Sequence, residues 1–270
     1  TTLGLGVAGA ALATVIGNLC AVGYFLWYIL RKTDTCLSLK IRDLKFERET
    51  TSNVYKVGIP TALNTFLICI ANLILNNFAA SYGDITVAAV GVSFRIAQFF
   101  RLLIIGLAQG TQPLIAYNYA AKNYRRMFDA TKFSAIVGIL FGLFAFTLVQ
   151  FTAPNLIRIF LDTPEVVELG AIYVRLYVSA LPVLILLFLF MASFQAFGKA
   201  LQATIISVGR DGVIFIPVIL ICRKLFGRIG IMCAQPLTDI LTIIFSSVMY
   251  YQVYKKLKVE MKELESQASL

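Results

Sequence analysis

The sequence contains no histidine. That absence removes the side chain most suited to moving protons near neutral pH and the commonest metal ligand. It also excludes any Ser–His or Cys–His nucleophilic pair, and no H-E-x-x-H or G-K-[ST] string occurs. The chain therefore offers no catalytic residue and no metal site, and it does not read as an enzyme. Cysteine is sparse as well. Five residues, Cys20, Cys36, Cys69, Cys222 and Cys233, are widely spaced with no C-x-x-C. Four of them lie in or beside apolar runs, which fits small buried side chains rather than a disulfide framework. Charge is the third scarcity, at 14 % of 270 residues, and it is biased: 24 Lys and Arg against 14 Asp and Glu. The basic residues sit between apolar runs, which points to a membrane and away from nucleic acid.

What is abundant is apolar. Hydrophobic residues make up 59 % of the chain, against about 45–50 % in a soluble domain. They fall in seven runs, 4–30, 55–80, 85–118, 128–153, 166–197, 200–222 and 229–254. Each is long enough to cross a bilayer as a helix, and none alternates as a barrel strand would. The expected fold is all-α and membrane-embedded, with seven transmembrane helices. The first run has no basic segment ahead of it and reads as a span, not a signal peptide. A chain opening on TTLGLG is expected to begin inside a longer protein.

The widest polar gap, RKTDTCLSLKIRDLKFERET at 31–50, carries six basic and four acidic residues. A short amphipathic helix through Leu37, Ile41 and Leu44 could lie on the membrane surface there. Basic residues also gather at 119–127 and after 254, where Lys255, Lys256, Lys258 and Lys262 fall. The intervening connections 81–84 and 154–165 are poor in them, although Arg223, Lys224 and Arg228 dissent. The positive-inside rule makes the rich side, with the linker and the C-terminus, cytoplasmic. The expected organisation is a helix 1–30 that ends one bundle, a linker 31–53, a six-helix bundle 54–254 and a cytoplasmic tail 255–270. The small residues Gly6, Gly9 and Ala13 recur at the same spacing as Gly227, Gly230 and Ala234. That echo suggests two related bundles, a recurring plan among transporters.

GLGVAG at 4–9 matches the dinucleotide string G-x-G-x-x-G. The context is wrong for it. A membrane span follows, and the acid expected about 20 residues on is absent, the first being Asp34. The glycines read instead as a small-residue face for helix packing.

Polar groups inside the spans are expensive in lipid and mark faces that meet other helices or water. The third run carries Arg95, Gln98, Arg101, Gln109 and Gln112 on about a third of the helix circumference. The second carries Thr61, Thr65, Asn72 and Asn76 on one face, with Asn64 beside it. Either face could bind neighbouring helices or line a hydrated substrate path. The last run carries Gln235, Thr238, Asp239, Thr242 and Ser246. Asp239 could carry an ion or serve as a structural carboxylate. Arg210 could pair with its neighbour Asp211 or with Asp239. Phe side chains within the spans could meet lipophilic cations through their ring faces, or simply pack. Pro113, Pro182, Pro217 and Pro236 lie where helices could kink.

Four stretches carry a resemblance to a known family. They are KVGIPTALNTFLICIANLILNNFAASYGDITVAAVGVSFRI (56–96), GLAQGTQPLIAYNYAAKNYRRM (106–127), SFQAFGKALQATIISVGRDGVIFIPVIL (193–220) and FGRIGIMCAQPLTDI (226–240). In order and spacing the chain resembles the MATE family, the multidrug and toxic compound extrusion transporters. The resemblance implies a twelve-helix, two-lobed fold of which this chain is the sixth helix plus the C-terminal lobe. It implies a multi-pass protein of the cell membrane that needs no cofactor and exports small lipophilic or cationic compounds in exchange for Na⁺ or H⁺ by alternating access. Its partners would be membrane lipid and the N-terminal lobe of the same protein. The second, third and fifth spans would line the substrate cavity. One branch of the family holds its cation with acids in the seventh and tenth helices. Here the seventh-helix counterpart offers Thr and Asn, and 171–197 contains no acid, so that ion site is not carried over. A lipid-linked oligosaccharide flippase of related fold, or a membrane scaffold, is the alternative.

Overall fold

The structure, a computed structural model, describes residues 6–31 and 47–268. The surface helix expected through Leu37, Ile41 and Leu44 lies outside the described residues. Helices account for nearly all of the rest, and no strand occurs among the described residues. Two compact units are present, residues 1–55 and 56–270.

The first unit holds α1 (Gly6–Arg31) and the opening turns of α2 (Arg48–Ala80). Gly4 and Leu5 lie outside the described residues. From Gly6 onward the backbone is continuous helix, without the strand and turn that a dinucleotide site needs. Large apolar side chains of α1, Leu19, Phe25 and Leu30 among them, are exposed. Its C-terminal turns gather Tyr24, Phe25, Trp27 and Tyr28, and the Arg31 guanidinium lies 5.3 Å from the Trp27 ring centre. Amphipathic rings beside a terminal arginine suit the headgroup level of a bilayer.

The second unit contains the remainder of α2, then α3 (Asp84–Ala120), α4 (Tyr124–Arg158), α5 (Pro164–Tyr177), α6 (Leu181–Ala196), α7 (Ala200–Val208) and α8 (Phe215–Ala268). A 3₁₀ turn at Val178–Ala180 joins α5 to α6, just ahead of Pro182, so the two make one bent span. A π-helical turn, Gly209–Ile214, joins α7 to α8. It precedes Pro217, which lacks an N–H and whose ring crowds the carbonyl four residues back; a widened turn relieves that contact.

The seven separate helices expected from the runs are corrected in one respect. Six stretches among the described residues have membrane-crossing length, and the last, Ala200–Glu263, contains both final runs. No polar loop divides them. Gly227 alone breaks the helix, with φ 57° and ψ −131°. Only glycine adopts that backbone without strain. The chain reverses there, because a Cβ on Gly230 would run into the Cys222 carbonyl oxygen eight residues earlier. The Gly227 and Gly230 of the sequence echo are thus the turn and the close-packed shoulder of a helical hairpin. At the far end, helix continues through 255–268, where a polar tail was expected to follow the last span.

The core forms around α3, α5 and α6, with Tyr173, Ile185, Leu187, Phe194 and Ile104 fully buried. Van der Waals contact is what holds helices together in lipid, so close approach depends on small residues. A Cβ on Gly142 of α4 would sit 2.5 Å from the Leu181 carbonyl oxygen and 2.7 Å from Pro182 Cα. Gly138, one turn away, gives Ile185 its space. Hydroxyls add cross-links: Ser93 donates to the Gly170 carbonyl at 3.0 Å, Thr111 to Ser134 at 2.8 Å, and Tyr173 to the Arg228 carbonyl at 2.9 Å. The extended end of α8 docks on the start of α4, where Tyr124 donates to Glu260 at 3.0 Å. Ile115, Met127, Phe197 and Leu257 make a second apolar cluster there.

Gly142→Ala is expected to lower the melting temperature of the detergent-solubilised full-length protein by several degrees. Gly106→Ala, whose added methyl group meets nothing within 4 Å, is expected to leave it unchanged or raise it slightly. Equal tolerance at both positions would contradict the α4 packing described.

Candidate functional site

Five spans of the second unit line a half-open cavity of about 290 Å³. Asn64, Ile68, Ala71, Asn72 and Leu75 of α2 form one wall, and Phe94, Gln98, Arg101 and Ile105 of α3 form the next. Tyr177, Phe188 and Met191 face them from the bent α5–α6 span. Ser207, Arg210, Asp211, Phe215 and Gln235 complete the lining from the α7–α8 region. The helical period explains these sets. Residues three, four and seven apart share a face, and 64, 68, 71, 72 and 75 obey that rule, as do 94, 98, 101 and 105. Gly212 has Leu67 of α2 against it, about 3.2 Å from where a Cβ would stand. That lack of a side chain brings α2 up to the π turn.

A charged cluster occupies the side of the cavity next to the hairpin. Arg210 Nε donates to Asp239 Oδ1 at 2.7 Å, and Arg210 Nη1 to Asp211 Oδ1 at 2.9 Å. Gln235 Nε2 reaches the same Asp239 oxygen at 3.4 Å. Arg101 Nη2 stands 3.9 Å from it, a charge contact beyond hydrogen-bond length. The two arginines and two aspartates balance to zero. Arg101, Arg210 and Asp239 are all buried. Balance matters here, since an unpaired charge at this depth carries a large desolvation penalty. The π turn presents Arg210 and Asp211 together to the cavity, and such turns recur at functional sites. Beside the charges, Phe94 and Tyr177 meet edge to face at 5.8 Å, and the Arg101 guanidinium lies 5.8 Å from the Phe188 ring centre. Charge, amide and aromatic surfaces therefore share one chamber.

Of the residues singled out in the sequence, Asn64, Asn72 and Gln98 come together at this cavity. Asn64 also accepts from the Ser207 hydroxyl at 2.5 Å. Asp239 stands behind the lining, held by Arg210. Thr65, Asn76 and Arg95 are exposed on the flanks of their helices and do not line it. Gln109 and Gln112 share the α3 face with Gln98 but lie beyond Ile105, about 6–10 Å further along the helix. The Thr61 side chain lies outside the described residues. Among the described residues, no three His, Cys, Asp or Glu side chains gather as a metal site would require. Sequence reasoning missed Tyr177, Phe188 and Met191. Phe188 and Met191 lie on α6, which is apolar on every side, so no periodic signal marked a face there, and Tyr177 ends the apolar side of α5. The adjacent charges of GRDG inside an apolar run were the available signal for the π turn.

Residues 60–221 match the MatE family. Over 261 residues the chain is 33 % identical to the multidrug export protein MepA of Staphylococcus aureus (strain bovine RF122 / ET3-1), covering 96 % of this chain and 57 % of that protein. MepA of Staphylococcus haemolyticus (strain JCSC1435) is 32 % identical over 263 residues, covering 97 % and 57 %. The chain thus spans a little over half the length of the curated relatives it matches. Among solved structures, it superposes on an inward-facing multidrug resistance MATE family transporter with a TM-score of 0.81, 22 % identity, and coverage of 95 % of this chain and 60 % of that one. An outward-facing conformation gives 0.79 at 22 % identity, covering 95 % and 58 %. At that identity the likeness is one of fold.

Asp239→Asn leaves Arg210 and Arg101 facing a neutral amide. Loss of one partner of a buried pair costs about 3–5 kcal/mol, so a marked drop in melting temperature is expected. Combining it with Arg210→Gln should recover part of the loss. A double variant no more stable than the single one would show that the two side chains are not coupled.

Proposed function

The chain belongs to the MATE family, and on that premise we propose that it supplies the C-terminal part of a two-lobed multidrug exporter. Residues 54–254 are the six-helix lobe, 1–30 the closing helix of the other lobe, 31–53 the linker between them and 255–270 a cytoplasmic tail. The protein resides in the cell membrane and exports small lipophilic compounds in exchange for Na⁺ or H⁺. The observation that carries this reading is the chamber of about 290 Å³ within the helix bundle, walled by amides and aromatic rings. Pockets with a mostly apolar lining and a few convergent polar groups are the usual form of small-molecule sites. Asn64, Asn72 and Gln98 offer donors and acceptors that turn to suit different substrates. Thr65, Asn76, Arg95, Gln109 and Gln112 belong to the same polar faces and meet the other lobe or the path leading from the chamber.

Alternating access asks a lobe to keep its packing while it rocks. The near-equal likeness to an inward-facing and an outward-facing transporter supports a lobe that moves as a body. Asp239, together with Asp211, serves as a carboxylate that neutralises Arg210 and Arg101. The coupling ion is then held by groups outside this cluster. A flippase for a pyrophosphate-linked sugar would want an excess of positive charge in the chamber, and the balanced cluster argues against that alternative.

The full-length protein, expressed in cells stripped of their own efflux pumps, should lower the accumulation of at least one dye in a panel of lipophilic cations, neutral compounds and anions. Collapse of the ion gradients should abolish the effect. Accumulation equal to that of cells with an empty vector, for every dye, would reject the proposal. A fluorescent protein fused after Leu270 should fold and fluoresce in the cytoplasm, whereas alkaline phosphatase there should be inactive; the opposite pattern would overturn the orientation.

A further inference from the structure

A second hollow, of about 370 Å³, opens between α4, α6 and α8 at the end of the bundle where α4 begins and α6 ends. It grades from polar to apolar along the helix axes. Asp129, Lys132 and Tyr254 stand nearest that end, and Ala135, Leu186 and Leu189 lie deeper. Lys122, Arg125 and Arg126 mark the water side. At 1.5 Å per residue, Asp129 and Ala135 lie about 8 and 17 Å along α4 from its first residue, Tyr124. Each polar layer of a bilayer is about 5–8 Å thick, so the groove starts at headgroup level and ends among acyl chains. Two ring pairs brace its walls. Phe190 stacks on Tyr250 at 4.6 Å, and Phe128 meets Tyr254 edge to face at 4.8 Å. Asp129 and Lys132 are exposed at the mouth, and their side chains make no ion pair or hydrogen bond among the described residues. Three residues apart on a helix, they are neighbours on one face, with Cβ atoms about 5–6 Å apart. An unengaged pair of opposite charges therefore tops an apolar slot at the depth of the headgroups.

We propose that this groove is a binding site for one phospholipid with a zwitterionic, primary-amine headgroup, a phosphatidylethanolamine. Lys132 takes the phosphate and Asp129 the ammonium, while an acyl chain lies on Ala135, Leu186 and Leu189 between the two ring pairs. The Lys132 stem lets its charge rise to the phosphate while the methylenes stay in the slot. A carboxylate only accepts hydrogen bonds. It therefore rewards an ammonium that carries N–H donors over one that is fully methylated, and such charge-assisted bonds are the strong ones. An anionic headgroup is the competing occupant, because the surrounding end of the bundle is basic, with Lys255, Lys256 and Lys258 on α8. Asp129 stands at the mouth itself and opposes that occupant. The two charges at the mouth sum to zero, as those of the zwitterion do. Seated there, the lipid bridges three helices of the second unit. The site is separate from the chamber, and the inference does not depend on export.

The test uses the purified, delipidated full-length protein and three lipids with the same dioleoyl chains: phosphatidylethanolamine, phosphatidylcholine and phosphatidylglycerol. Titration followed by native mass spectrometry should find the first ethanolamine lipid bound about tenfold tighter than the first choline lipid, the gap typical of a hydrogen bond to a charged group. The glycerol lipid should bind no tighter than the choline lipid. Asp129→Asn should bring the ethanolamine lipid to within about threefold of the choline lipid. Lys132→Gln should weaken both by a similar factor, since both carry the phosphate. The two substituted side chains are exposed, so the melting temperature in lipid-free detergent should match that of the parent protein for each variant. The glycerol lipid binding tightest would make the groove an anionic site and overturn the inference. So would equal affinity for the ethanolamine and choline lipids, an ethanolamine preference that survives Asp129→Asn, or affinities untouched by Lys132→Gln.

Discussion

The ion pair between Arg210 and Asp239 is the contact on which the interior of the second unit depends. It ties the two arms of the final hairpin together where both are buried, and its partners come from either side of the Gly227 reversal. In a low-dielectric interior neither charge is tolerable alone. Once made, the pair fixes the rotation of the last span about its axis, which sets Gln235 at the cavity edge and Asp239 behind it. The π turn follows from the same requirement together with Pro217. A widened turn lets Arg210 reach across to Asp239 and still bind its neighbour Asp211. Charge demand and backbone geometry are satisfied by one irregular segment.

Around that pair, the helices are assembled by close approach more than by polar bonding. Lipid gives helices little hydrophobic reason to associate. Glycines at 138, 142, 170, 212 and 230 let neighbouring elements meet, and a few hydroxyls donate across the seams. The chamber is what remains where this packing stops. Its walls are large side chains, Phe94, Tyr177, Phe188 and Phe215, that cannot approach as glycine-bearing faces do. Stiff rings held by a close-packed core keep that hollow from collapsing. The exposed polar residues of α2 and α3 leave the rims of those helices hydrated or ready to meet another protein surface.

Much of this was legible from the sequence, and the failures have physical causes. The apolar runs gave the spans, because length and composition in lipid leave helix as the only regular choice. The α3 stripe was visible as a period, but its extent was not. Gln98 and Arg101 share a cavity, while Gln109 and Gln112 lie further along the same face. A period reports the face of a helix and not the depth at which a neighbour ends. On α2 the polar residues Thr65 and Asn76 drew notice, whereas the cavity face is centred on Ile68 and Leu75 with Asn64 and Asn72 at its edges. The boundary between the last two helices was expected as a basic loop. It is a single glycine, since a residue tolerant of positive φ can turn the chain without one.

The sequence by itself determined that this chain crosses a membrane as helices, where those helices interrupt, and that buried charges of both signs would have to find each other. Those properties depend on composition and local spacing, which any fold of the chain must respect. The tertiary structure decided which charges paired and which donors stayed idle. Arg101 and Arg210 are alike as letters, but helix rotation gives Arg210 two carboxylates at hydrogen-bond distance and gives Arg101 none. That difference arises from how three elements distant in sequence pack against one another, and no local pattern encodes it.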